Sequence, residues 1–160
     1  MKYPKKLNKL KLAFITGATK GIGRSTAITF ANAGWDLILL SRSMELMEKL
    51  KSKLLTTKSK ISLIECDLSN PLEIENCINK AIEKFGCPSV LINNAGCAFN
   101  GSLVEMDLAK WNQTIQLNLT SVFQICKSII PKMRKNGGLV INVSSHASYN
   151  AFPQWGAYCI

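Results

Sequence analysis

Thr16-Gly17-Ala18-Thr19-Lys20-Gly21-Ile22-Gly23 is the stretch whose reading decides the fold. A short apolar run, Leu12-Ala13-Phe14-Ile15, leads into it, and a helical pattern from Arg24 to Ala33 leads out. Strand, glycine turn and helix in that order bring backbone N–H groups and a helix N-terminus beneath a phosphate. Glycine lets the backbone turn sharply and approach a ligand where a Cβ would obstruct it. The stretch departs from the usual dinucleotide fingerprint, because Gly21-Ile22-Gly23-Arg24-Ser25-Thr26 ends in Thr where G-x-G-x-x-G has Gly. Its spacing is T-G-x-x-x-G-x-G. On these residues alone, a glycine-rich turn without a ligand remains the alternative.

Outward from the turn, strands and helices alternate. Strands are expected at about 11–16, 35–40, 61–66, 89–92 and 139–143. Helices are expected at about 22–33, 43–56 and 71–85, and as a short helix and then a long one between Asp107 and Asn136. Ala33-Gly34, Gly86 and Gly137-Gly138 punctuate helix ends. Pro71 suits a first helical position with Ser69 or Asn70 as cap, and Pro131 kinks or breaks the long helix near its end. A last helix begins near Trp155. This alternation predicts an α/β, doubly wound parallel sheet of Rossmann type, with residues 12–160 as one domain behind a basic lead-in at 1–11.

Composition narrows the class. The chain has 160 residues, is 47% hydrophobic and 19% charged, and carries a net charge of +10. Five lysines (Lys2, Lys5, Lys6, Lys9, Lys11) crowd the first eleven residues. No apolar run reaches the roughly 18 residues of a membrane span, and the basic N-terminus lacks a signal peptide's apolar stretch, so a cytoplasmic protein with no membrane partner is expected. The positive charge comes without a recognition motif, stacking aromatics or a basic amphipathic helix, which argues against nucleic acid as a partner. The six cysteines form no C-x-x-C pair and only His146 could join them on a metal, so neither a metal site nor a disulfide framework is expected. Reduced, mostly buried thiols fit that compartment.

The polar motifs all fall at carboxyl ends of expected strands, where ligands bind in such sheets. Gly17–Gly23 follows the first strand, Arg42 the second, Asp67 the third, Asn93-Asn94-Ala95-Gly96 the fourth and Ser145 the fifth. Arg42 bears on cofactor choice. An acid at the end of the second strand would accept from a ribose 2′-OH, but Asp36 stands too early. Arg42 instead offers a planar fork of donors suited to a phosphate, with Lys20 as a second positive charge. Arg42 as an ordinary exposed charge, Asp67 as a turn or capping residue, and Asn93–Gly96 as a purely structural turn remain open readings.

Together T-G-x-x-x-G-x-G, N-N-A-G, and Ser145 thirteen residues before Tyr158 resemble the short-chain dehydrogenase/reductase family over residues 12–160. The resemblance implies an oxidoreductase that interconverts a carbonyl and an alcohol by hydride transfer with NADP(H), acts on a small-molecule substrate and, at full length, is a homo-oligomer. It places Thr16, Gly17, Thr19, Lys20, Gly21, Ile22, Gly23, Arg42, Asp67, Leu68, Asn94, Ala95 and Gly96 on the cofactor. Tyr158 becomes the proton donor and acceptor, Ser145 the group that fixes the carbonyl oxygen, and Asn118 the holder of a relay water. The family's lysine four residues after the tyrosine would be at 162, so the resemblance also implies a C-terminally incomplete fold. An open outer edge on the strand at 139–143 is then expected, with Val122, Ile125 and Ile129 left exposed. A non-catalytic dinucleotide-binding remnant and a basic nucleic-acid-binding module are the rival readings.

Overall fold

The computed structural model describes residues 10–159; the expected basic lead-in lies outside them apart from Leu10 and Lys11, as does Ile160. The stretches that read as apolar runs or amphipathic periods fold into five strands and five helices. They are β1 (Leu12–Thr16), α1 (Gly21–Asn32), β2 (Asp36–Ser41), α2 (Met44–Lys53), β3 (Ile61–Glu65), α3 (Pro71–Phe85), β4 (Val90–Asn93), α4 (Leu108–Ile115), α5 (Ser121–Met133) and β5 (Leu139–Asn142). The five strands pair in parallel in the order β3-β2-β1-β4-β5. The chain builds outward from β1 to β3, then returns to the other side of β1 for β4 and β5. The reversal between β1 and β4 is the switch point at which such sheets open a crevice for ligands.

The continuous apolar strands are explained by burial on both faces. Phe14, Ile38, Leu40 and Leu91 point to one face and meet Ile74, Ile78 and Ala81 of α3 and Ile125, Ile129 and Met133 of α5. Ala13, Ile15, Leu37, Leu39, Val90 and Ile92 point to the other and meet Ala27 and Ala31 of α1 and Met47 and Leu50 of α2. Alternate residues of one strand thus serve two layers, as the period of two requires.

Local signals place the ends. Gly34 at φ 74° ends α1, its N–H donating to Ala31 O and that of Trp35 to Phe30 O. Pro71 opens α3, with Asn70 Oδ1 accepting from Leu72 N at 3.2 Å. The segment from 108 to 133 is one helical run interrupted by a π turn, Gln116–Thr120, in which Ser121 N–H donates five residues back to Gln116 O. Pro131 lies inside α5, which stops two residues later at Met133. Among the described residues, the helix expected from Trp155 is a single 3-10 turn, Gly156–Tyr158.

Two expectations about exposure divide. No strand among the described residues pairs with the outer edge of β5. Ile125 and Ile129, however, are buried and Val122 is half-buried, because α5 finds its partner in α3 and in the sheet. Uncovered apolar side chains lie elsewhere, among them Leu108, Leu119 and Phe123 on the helical run, and Leu139, Ile141 and Val143 at 47%, 37% and 37% on and after β5. The thiols need a similar correction. All six cysteines are free, but only Cys66 is buried; the other five are half-buried, with Cys77, Cys87 and Cys126 packed against the core from its margin.

Candidate active site

The glycine turn is held from across the switch point. Thr16 is buried, and its Oγ1 accepts from the N–H groups of Asn94 and Ala95, each at 3.0 Å. Asn94 returns the contact, its Nδ2 donating to Thr16 O at 3.0 Å and Gly17 O at 3.2 Å. Gly17 N–H donates to Leu40 O at 2.9 Å. The closeness of this clamp dictates two glycines. A Cβ on Gly17, whose φ is 64°, would lie 2.8 Å from Ala95 Cα, and one on Gly23 would lie 2.5 Å from Gly17 O and strike the Asn94 carboxamide. Thr16 and Asn94 therefore shape the turn through groups turned inward.

Gly21, at φ 54°, faces open space, and α1 starts there without a side-chain cap. The contrast is internal: α2 is capped by Ser43, α3 by Asn70 and α4 by Asp107. The first-turn N–H groups of α1 keep their donor capacity and the positive end of the helix dipole, which together suit an anion. Ile22 projects at 64% exposure, Lys20 is exposed beside it, and Thr19 Oγ1 lies 3.4 Å from Ser41 Oγ at the end of β2. Arg42, the next residue, is exposed.

Asp67 follows β3. Its Oδ1 accepts from Ser69 N at 2.9 Å and Ser69 Oγ at 2.7 Å. These two bonds hold its carboxyl below the ordinary range; partial burial opposes them, and the positive charge of Arg42 adds to them. Leu68 is buried in the core, so its side chain is turned away from any ligand, while its carbonyl accepts from Gln116 Nε2 at 3.2 Å.

The catalytic candidates stand at the other half of the edge. Asn118 lies in the π turn, and its amide grips Cys97 twice: Oδ1 accepts from Cys97 N and Nδ2 donates to Cys97 O, both at 2.8 Å. Each end of a carboxamide keeps one more hydrogen-bonding site after such a pair. A Cβ on Gly96 would be 3.2 Å from Asn118 Oδ1. Burial pushes the Cys97 thiol up, with a hydrogen bond from Thr114 and the charge of Arg42 opposing it. Ser145 begins the 3-10 turn His146–Ser148, its Oγ accepting from Ala147 N at 3.2 Å. Tyr158 is half-buried, with its ring 5.6 Å from that of Trp155. Gly101 N–H donates to Gln154 O at 2.7 Å, tying the loop after β4 to the segment that carries the tyrosine. The strands thus carry Thr16–Gly23 and Arg42 after β1 and β2, Asp67 and Leu68 after β3, Asn94–Gly96 after β4 and Ser145 after β5, while Asn118 is tied to the β4 loop through Cys97 and the segment of Tyr158 through Gly101 and Gln154.

A family model described as short chain dehydrogenase matches residues 11–160. The chain belongs to the short-chain dehydrogenase family. A 3beta-hydroxysteroid dehydrogenase of Mediterraneibacter gnavus is 34% identical over 149 residues, which are 92% of this chain and 54% of that protein. An alcohol dehydrogenase from the archaeon Thermococcus sibiricus, solved with 5-hydroxy-NADP, is 30% identical with a TM-score of 0.89 over 93% of this chain and 64% of that one. A metagenomic short-chain oxidoreductase solved with NADP is 28% identical with a TM-score of 0.89, covering 96% of this chain and 71% of that one. The chain spans about half the length of the curated relatives it matches, which are named as dehydrogenases and reductases. The family is one of oxidoreductases. What sequence reasoning did not see in this short-chain dehydrogenase is the reciprocal Thr16–Asn94 clamp and the π turn under Asn118. The only signal for either was two polar motifs, T-G and N-N-A-G, at the ends of strands that prove to be neighbours.

Proposed function

We propose that the full-length protein interconverts a carbonyl and an alcohol with NADP(H). The observation that carries this reading is the pairing of an uncapped α1 with Arg42 as the residue that follows β2; the carboxylate that strand pairing brings there, Glu65 of β3, accepts from Met44 N at 3.4 Å. Lys20 and Arg42 would meet a 2′-phosphate, and the first-turn N–H groups of α1 would meet the pyrophosphate. Gly17 and Gly21, at positive φ, keep side chains out of that path. The nicotinamide supplies or accepts the hydride when the cofactor is bound.

The chain's own part is to hold the carbonyl and move a proton. Tyr158 gives its phenolic proton to the carbonyl oxygen in reduction and takes it back in oxidation. A free tyrosine, with a pKa of about 10, does this slowly at neutral pH and needs positive charge beside it. Ser145 already accepts from Ala147 N, which leaves its hydroxyl proton to donate to the same oxygen. Asn118 has one donor and one acceptor site left beyond Cys97, enough to orient a water that returns the proton to Tyr158. The NADP named with two of the solved relatives supports the cofactor choice.

Calorimetric titration of both cofactors into the full-length protein tests the reading. NADPH should bind about ten- to a hundred-fold more tightly than NADH, the worth of one charge-assisted contact, and Arg42→Ala should remove the difference. Equal affinities, unchanged in the variant, would overturn it.

A further inference from the structure

We propose that Gln116 is a positioning residue for the adenine end of NADP(H), and that it acts by holding the Leu68 carbonyl and with it the Asp67–Leu68 turn. This rests on the reading of Arg42 as the partner of the 2′-phosphate. Strand order gives the direction in which the cofactor runs. The pyrophosphate belongs at α1, after β1, and the 2′-phosphate at Arg42, after β2. The adenine is carried by the same ribose as the 2′-phosphate, on the side away from the pyrophosphate. The next strand in that direction is β3, and the turn that leaves it contains Asp67 and Leu68. The charge of Arg42 acts on the Asp67 carboxyl, so the two side chains share one stretch of the edge.

Within the turn, Ser69 donates twice to Asp67 Oδ1, and Asn70 N–H donates to Asp67 O at 3.0 Å. These bonds shape the turn but do not set its place. Among the described residues, three hydrogen bonds tie residues 66–71 to other elements. Cys66 N–H donates to Ser41 O at 3.0 Å, before the turn. Gln124 Nε2 donates to Pro71 O at 3.1 Å, after the turn and at the first residue of α3. Gln116 Nε2 donates to Leu68 O at 3.2 Å and so grips the turn itself. The Leu68 side chain is buried in the core, which leaves its carbonyl as the group through which the turn can be adjusted.

Gln116 lies in the same π turn as Asn118, whose carboxamide holds both backbone groups of Cys97. β3 and β4 are separated in the sheet by β2 and β1, a distance of about 14 Å at the usual strand spacing. The π turn bridges that gap, with one grip on the loop leaving β3 and one on the loop leaving β4. A cleft whose walls are set before the ligand arrives is spared the cost of ordering them on binding. Loss of one grip brings that cost back, and a single neutral hydrogen bond sets its scale at about three- to tenfold in affinity.

The test is calorimetry on the full-length protein with adenosine 2′,5′-bisphosphate, which carries the adenine and the 2′-phosphate without the nicotinamide. Gln116→Met keeps an unbranched side chain of similar length, removes the donor, and should weaken binding by about three- to tenfold. Gln124→Met removes the same kind of bond from Pro71 O, outside the turn, and should leave binding unchanged. Hydrogen exchange of the unliganded protein gives a second readout. The amides of Ser69 and Asn70 should exchange faster in Gln116→Met, while those of α1 should not. Gln116→Asn, one methylene short of Leu68 O, should act in the same direction and takes the place of Gln116→Met if that variant does not fold. Parent-like affinity, unchanged exchange at Ser69 and Asn70, or equal losses in the Gln116 and Gln124 variants overturns the proposal. A parent that does not bind the bisphosphate refutes the NADP(H) reading and this one with it. A parent that binds it while the Gln116 variants lose nothing refutes the role of Gln116 alone.

Discussion

β1 and β5 run parallel in the same sheet, and each delivers site residues at its carboxyl end, yet they are supported very differently. Every residue of β1 is buried, between α1 and α2 on one face and α3 and α5 on the other. In β5 none is: Val140 is half-buried and Leu139, Ile141 and Asn142 are exposed. The turn after β1 is clamped by four hydrogen bonds between Thr16, Gly17, Asn94 and Ala95. The segment after β5 relies on two short 3-10 turns and the contact with residues 101–103. The nucleotide half therefore carries its own core. Of the described residues, the carbonyl half holds its chemistry on backbone with little apolar burial beneath it, the kind of region that opens locally at low free-energy cost.

The contrast can be broken in several ways. The largest expected effect is on chemistry in the full-length protein. Tyr158→Phe should lower turnover by about 10²–10⁴ and leave NADPH affinity unchanged, because the hydroxyl acts only in the carbonyl half. Near-normal turnover of a substrate that the parent accepts would place the proton transfer on another residue.

Next comes stability. Phe14→Ala, in β1, should cost about 3–5 kcal/mol in urea unfolding. Leu139→Ala, in β5, should cost about 0.5 kcal/mol, the scale of surface substitutions. Similar losses at the two positions would refute the division of the sheet. A smaller effect is expected at the clamp. Thr16→Val keeps the shape but orphans the N–H groups of Asn94 and Ala95, at a cost of about 1–3 kcal/mol, and should weaken NADPH more than any ketone. Calorimetry and unfolding of the same variant check both parts.

The smallest effect concerns acid. The Asp67 carboxyl is held below its ordinary pKa by Ser69 and Arg42, so the folded state binds its proton less readily than the unfolded chain does. Its stabilising contribution is complete above the unfolded value and is lost as pH falls through the folded one. Asp67→Asn should therefore narrow its stability gap to the parent as pH drops below about 4. A gap that does not change between pH 6 and pH 3 would show that the Ser69 contacts do not depend on the charge.

The two halves also differed in how well they could be read. The glycine turn, the Asn70–Pro71 helix start and the Gly34 and Gly86 stops were legible because each is a backbone requirement met by a few adjacent residues. Arg42 and Asp67 followed from strand ends. The clamp was not legible, since it joins Thr16 to Asn94 across 78 residues and depends on which strands are neighbours. The π turn stands where the sequence reads as a short helix followed by a long one, and no residue there marks a helical join with one residue extra. Ile125 and Ile129 were expected to be exposed because their partner was assigned to a helix beyond the sequence, when α3 already covers them. Periodicity shows that a face is apolar, but only the fold shows what meets it.

The π turn has a consequence for which changes of length this chain tolerates. Each residue advances an α-helix by about 100°. Gln116–Thr120 spends one residue more than a regular turn for about the same rotation. Deleting a single residue there would close it to a regular α turn and leave Ile125, Ile129 and Met133 against α3. What the deletion would move is Asn118, and with it the double contact to Cys97. A descendant lineage could lose this residue and keep its core, but it would give up the grip that the wide turn provides.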